Sequence, residues 1–212
     1  MLPAFTDFVA LLGIDLVLCA GCLRLLSWRR ADVAPWAKWI GAACFVLLWW
    51  PLGAAHLPVL AYIRGISSDL SITLAALACL GLGQRLLGLR ALEPRERTVV
   101  NFAVAAAALF LYPLALGWGD WDAYRLGWGA PGLWAALFVL SLLCWVQGLR
   151  LLPLLVALAL LAWVAGLLES SNLWDYLIDP WLALAALFHC IKWAAANWRD
   201  RLRRTGVGAF LK

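Results

Sequence analysis

The polar chemistry of this 212-residue chain is concentrated in three short segments and one set of isolated residues. The first segment runs from His56 through Arg64 and Asp69 to Thr73. The second, 117–129, holds Asp120, Asp122 and Arg125; the third, 169–180, holds Glu169, Trp174, Asp175 and Tyr176. Two arginines among carboxylates suit a bound phosphate or carboxylate, with Asp175, Glu169 and His56 available to move protons or hold a cation. Ser67 or Ser68 with His56 and Asp69 also supplies the residue types of a Ser-His-Asp hydrolase. Helix capping explains the same residues more simply. Ser68-Asp69 precedes an apolar run, and Asp179-Pro180 reads as an N-cap followed by proline at the first helical position. In the third segment Leu173, Trp174, Tyr176 and Ile178 interleave with the acids, as in a short amphipathic element that offers a docking surface.

The isolated residues are Asp15, His189 and Lys192, each inside a long apolar stretch. At ~1.5 Å per residue they fall at similar depths near the middle of a bilayer. A lone charge there costs several kcal/mol, so such residues pair or line a cavity. The sequence therefore predicts that the first and last apolar helices pack together, with Asp15 facing Lys192, His189 or both as an ion pair or proton relay. Lys192 snorkelling to the nearer surface is the plainer alternative.

Other signatures are missing. There is no Walker loop, dinucleotide glycine fingerprint, His-Glu-x-x-His or nucleophile elbow. Cys19-Ala-Gly-Cys22 has redox or zinc spacing, but no second pair follows, and all six cysteines sit in apolar runs as small apolar residues. Two histidines exclude a multi-haem protein, so no cofactor and no metal is expected. Gly117-Trp-Gly-Asp120 resembles the glycine–aspartate signature of intramembrane aspartyl proteases, yet the second aspartate is missing and the segment reads as a loop turn.

The elements that must position these residues follow from composition. The chain is 66% hydrophobic and 14% charged, with a mean hydropathy of +0.88. Soluble domains are about 45–50% apolar and about 25% charged, so a soluble globular domain, a disordered chain and a nucleic-acid-binding domain are excluded. Seven stretches are apolar enough to span: about 4–26, 39–60, 68–88, 98–118, 131–149, 151–168 and 180–198. The run from Leu133 to Leu168 is too long for one crossing and breaks at Gln147-Gly148-Leu149-Arg150. A six-span alternative makes one of this pair re-entrant, but it would leave the basic tail, 199–212, on the wrong side. With the N-terminus outside, all of the seventeen basic residues except Arg64 and Arg125 fall at inner ends. The N-terminus lacks a basic n-region, so the first stretch reads as a retained span. Most of the fifteen tryptophans flank the stretches as interfacial belts.

The expected fold is an all-α, polytopic bundle of seven transmembrane helices, N-out and C-in, forming one domain over 1–198. Its Leu/Ala/Arg/Trp-rich composition suits a bacterial inner membrane. The expected partners are membrane lipids and a membrane protein or a second copy, with no nucleic acid. Without a catalytic signature, the expected role is a non-catalytic component of cell-envelope assembly or export. A small secondary transporter using the buried relay and an outward-facing lipid-phosphate enzyme are the alternatives.

Overall fold

A computed structural model describes residues 4–27 and 35–204. Their regular secondary structure is helical, apart from one antiparallel pair of two-residue strands. The helices are α1 (Phe5–Leu26), α2 (Pro35–Leu48), α3 (Val59–Ser67), α4 (Ile72–Leu86), α5 (Pro94–Ala115), α6 (Pro131–Val146), α7 (Leu151–Val164), α8 (Leu173–Leu177) and α9 (Pro180–Arg204), with a 3-10 turn at Ala123–Gly127. Two of them, α1 and α5, are long and apolar enough to cross a membrane. Helices α4, α6 and α7, and α2 from Trp36, are apolar but shorter. The last helix continues six residues past the expected end at 198; residues 205–212 of the expected tail lie outside the described residues.

One expected boundary is corrected. The stretch 39–60 is not one helix: α2 stops at Leu48, and β1 (Pro51–Leu52) pairs antiparallel with β2 (Leu57–Pro58) before the separate α3 begins. Pro51 lacks the N–H that a continuing helix needs, and Gly53, at φ 69°, turns the chain back. Between α6 and α7 the chain turns in four residues, 147–150, with Gly148 at φ 76°.

Small residues let the helices approach: Ala105 and Ala108 of α5, Ala159 and Ala162 of α7, and Ala183 and Ala186 of α9 are buried. Helix α1 packs on α4, α2 and α3, whereas α9 packs on α5. Helix α6 is different. It buries only Leu133 and Cys144 and leaves Phe138, Val139, Leu142 and Val146 exposed.

Each end of the bundle is tied by polar groups. At one end Glu96, in the first turn of α5, accepts hydrogen bonds from the backbone N–H of Arg150 and Leu151 at 3.0 and 2.8 Å, capping α7 from a neighbouring helix. At the other, Asp179 caps α9 by accepting from Leu182 N at 2.9 Å. Its second oxygen accepts from Ser71 N and Ser71 Oγ, at 3.0 and 2.5 Å. Ser71, not Ser68-Asp69, is the N-cap of α4, accepting from Leu74 N at 3.1 Å. Ser68 cannot serve there because it sits at φ 61° in the C-cap of α3.

Asp179→Ala removes a helix cap and leaves the buried Ser71 donors unmatched. We expect a loss of about 2–4 kcal/mol, read from thermal or denaturant unfolding in detergent, against a near-zero effect of Asp120→Ala.

Candidate functional site

At the end where Asp179 lies, the helix ends enclose a cleft of about 1520 Å³. One wall comes from the start of α1, the β hairpin and α3; the other comes from the end of α5, the 3-10 turn and the 169–180 segment. Its floor is apolar, with Leu11, Leu111, Leu168 and Ile178, and Trp49 beside them.

Arg64 is the charge centre. Its Nη1 donates to Asp7 Oδ1 at 2.6 Å, and its Nε donates to Asp69 Oδ1 at 2.5 Å. Its Nη2 reaches Asp69 Oδ2 at 3.2 Å and Glu169 Oε1 at 3.3 Å. One guanidinium thus joins α1, α3, the start of α4 and the segment before α8. The Asp69 hydrogen bond, helped by Asp7, holds Arg64 more firmly protonated than usual, against the opposing effect of burial. With its nitrogens committed to three carboxylates, Arg64 is not poised to grip a phosphate.

A second group lies across the cleft. Asp175 Oδ2 accepts from Tyr124 Oη at 2.7 Å and from Ser170 Oγ at 2.5 Å. Burial first, then the hydrogen bond to Asp175, pushes the Tyr124 phenol up to about 12. Counting charges on the lining, Asp7, Asp69, Glu169, Asp175 and Asp179 face one arginine, and His56 sits on the hairpin at the rim. The cleft is acidic.

The structure brings together His56, Arg64, Asp69, Glu169 and Asp175 as cleft-lining residues. It does not bring in Asp120, Asp122 or Arg125. Asp122 caps the 3-10 turn by accepting from Tyr124 N, while Asp120 and Arg125 are exposed outside the cleft. Arg125 therefore cannot share a ligand with Arg64. Trp174 and Tyr176 are also not a docking surface, because their rings turn inward. Trp174 Nε1 donates to Ala123 O at 3.1 Å, and the fully buried Tyr176 hydroxyl accepts from Leu168 N. Asn172 caps α8 and donates to Tyr124 O, locking this segment onto the 3-10 turn.

The trio Asp15, His189 and Lys192 is likewise not assembled. Asp15 accepts from Trp49 Nε1 at 2.7 Å and from Cys19 Sγ at 3.4 Å. Lys192 instead lies 4.5 Å from the centroid of the Phe188 ring, and His189 Nε2 is buried without a hydrogen-bond partner among the described residues. The physical reason is helix order: α9 packs on α5, and the neighbours of α1 are α2, α3 and α4.

Sequence reasoning missed Asp7, Trp49, Tyr124 and Ser170. Asp7 carried one signal, an acid at the head of an apolar run on the same side as Arg64. Among the described residues, no group of three or more His, Cys, Asp or Glu is placed to hold a metal ion. Compared with protein-family models, with curated proteins and with solved structures, the chain matches none.

The Tyr124 phenol ionises in the folded state above its ordinary value of 10, so the stability it contributes is complete below pH 10. That contribution is lost as pH rises through about 12. In an ultraviolet tyrosinate titration, Tyr124→Phe should remove one ionisation step near 12.

Proposed function

We propose that this chain is a seven-span protein of the bacterial inner membrane, N-out and C-in. In this role it is a non-catalytic component of cell-envelope assembly or export that receives its partner in the acidic cleft. Three features favour the membrane reading. Helix α6 exposes an apolar surface along most of its length, which a soluble monomer does not tolerate. The apolar helices reverse direction one after another: α1, α4 and α9 start beside the cleft, whereas α5 and α7 start at the opposite end. That opposite end carries Arg85, Arg90, Arg95, Arg97 and Arg150, as the positive-inside rule asks of the inner face. Helices α2, α4, α6 and α7 have 14 to 16 residues. They fall short of the ~30 Å hydrocarbon thickness, a mismatch taken up by local thinning and, at α2, α6 and α7, by tryptophans near their ends.

The observation that carries the functional reading is the clamped Arg64. Its carboxylates neutralise it and leave the cleft with excess negative charge, so the geometry suits a positively charged partner segment rather than a phosphate. Asp69 and Asp179 are committed to Arg64 and to helix caps, and Ser170 donates to Asp175 instead of facing a general base. Such a cleft binds; nothing in it is arranged to attack.

Glu169 is the most exposed of the Arg64-paired acids, at 63%, and is the one a partner meets first. Purification from native membranes should yield a stoichiometric partner with wild type and with Asp120→Asn. Glu169→Lys should lose that partner by at least tenfold while eluting as the same folded species. Equal recovery with Glu169→Lys would remove the cleft from the interaction.

A further inference from the structure

Among the described residues two aspartates are almost completely buried, and their surroundings differ in kind. Asp179, 3% exposed, receives backbone and hydroxyl donors at the starts of two helices, where a negative charge is favoured. Asp15, 0% exposed, sits in the body of α1, about 15 Å from its start, where all backbone N–H groups are already used. Its surroundings supply one indole N–H and one thiol.

Among the described residues no positive charge is paired with it. The ionisable residues on the helices packed against α1 are Lys38 and Cys44 of α2, Tyr62 and Arg64 of α3, and Cys79 and Arg85 of α4. Arg64 is held by Asp7, Asp69 and Glu169; Lys38 Nζ donates to Leu86 O, and Arg85 Nη1 donates to Gly81 O. On α1 itself Cys19 is the hydrogen-bonded neighbour, and its thiol also reaches Gly41 O at 3.8 Å. Among the described residues Asp15 makes no ion pair. A buried carboxylate with one N–H donor and no cation is a poor solution in a low-dielectric interior, whereas a neutral carboxyl there is not.

Asp15 is also connected to the cleft. Trp49, whose indole N–H it holds, stands at the end of α2, lies 5.5 Å from the Phe8 ring in a tilted contact, and forms part of the cleft lining. We propose that Asp15 is a proton-binding site coupled to the occupancy of the cleft through the Trp49 indole. The carboxyl takes its proton from the cleft side and keeps Trp49 Nε1–H on its carbonyl oxygen. A ligand that lifts the indole removes the donor that favours the ionised form, and so tightens proton binding. By linkage, the proton then favours that ligand to the same degree. The site rests on the burial and partners of Asp15 and does not require the partner-docking role.

Infrared difference spectroscopy on the full chain in lipid nanodiscs tests it with protons as the only ligand. At pH 7 wild type should give a protonated-carboxyl C=O band that shifts on deuteration and is lost in Asp15→Asn. In Trp49→Phe the band should move to higher frequency, because the carbonyl loses its hydrogen bond. Should Asp15→Asn fail to fold, Asp15→Glu makes the assignment by displacing the band. Absence of an Asp15 band at pH 7 would overturn the proton site, and an unmoved band in Trp49→Phe would overturn the coupling to the cleft.

Discussion

The carboxylate of Asp179 joins the two halves of this protein. One oxygen caps its own helix, α9; the other caps nothing of its own but takes the backbone and hydroxyl of Ser71, which in turn caps α4. Two helix N-termini, far apart in sequence, therefore share one buried negative charge. Their dipoles both favour it, so the charge costs little to bury. Because α4 carries α1 on its side and α9 carries α5, fixing the two starts fixes the two walls of the cleft.

Three ways of handling an acid follow from that scaffold. At helix starts, Glu96, Asp122 and Asp179 are spent on backbone donors. At the cleft mouth, Asp7, Asp69 and Glu169 surround Arg64 and turn what looked like an anion-binding arginine into a structural tie. In the interior of α1, Asp15 has neither donors enough nor a cation. The same side-chain chemistry thus gives a cap, a clamp and a proton site, and the local supply of N–H groups decides which.

Much of the local structure was legible in the sequence, since it follows from neighbours along the chain. The Asp179-Pro180 cap and the break at 147–150 each depend on a few adjacent residues. The misread parts depend on contacts distant in sequence. Nothing in the spacing of Trp174 and Tyr176 says that their rings face Ala123 and Leu168 rather than a partner. Nothing in depth alone says which helix lies beside α1, so matching Asp15 with Lys192 by height chose the wrong neighbour. Apolar residues also hid the hairpin between α2 and α3: Leu52, Ala54, Ala55 and Leu57 extend the apolar run, while Pro51, Gly53 and Pro58 mark the turn. For the site, Arg64, Asp69, Glu169 and Asp175 were identifiable as polar residues on one side, but their pairing was not.

The central claim is that the acidic cleft opens on the outer face of a seven-span bundle. Sided labelling tests it most directly, using a membrane-impermeant maleimide on intact spheroplasts over the wild-type background. Ser68→Cys, at the cleft, should be labelled without permeabilisation, and Gln147→Cys, in the α6–α7 turn, only after it. Labelling of Gln147→Cys in intact spheroplasts, with Ser68→Cys protected, would place the cleft inside and contradict the account.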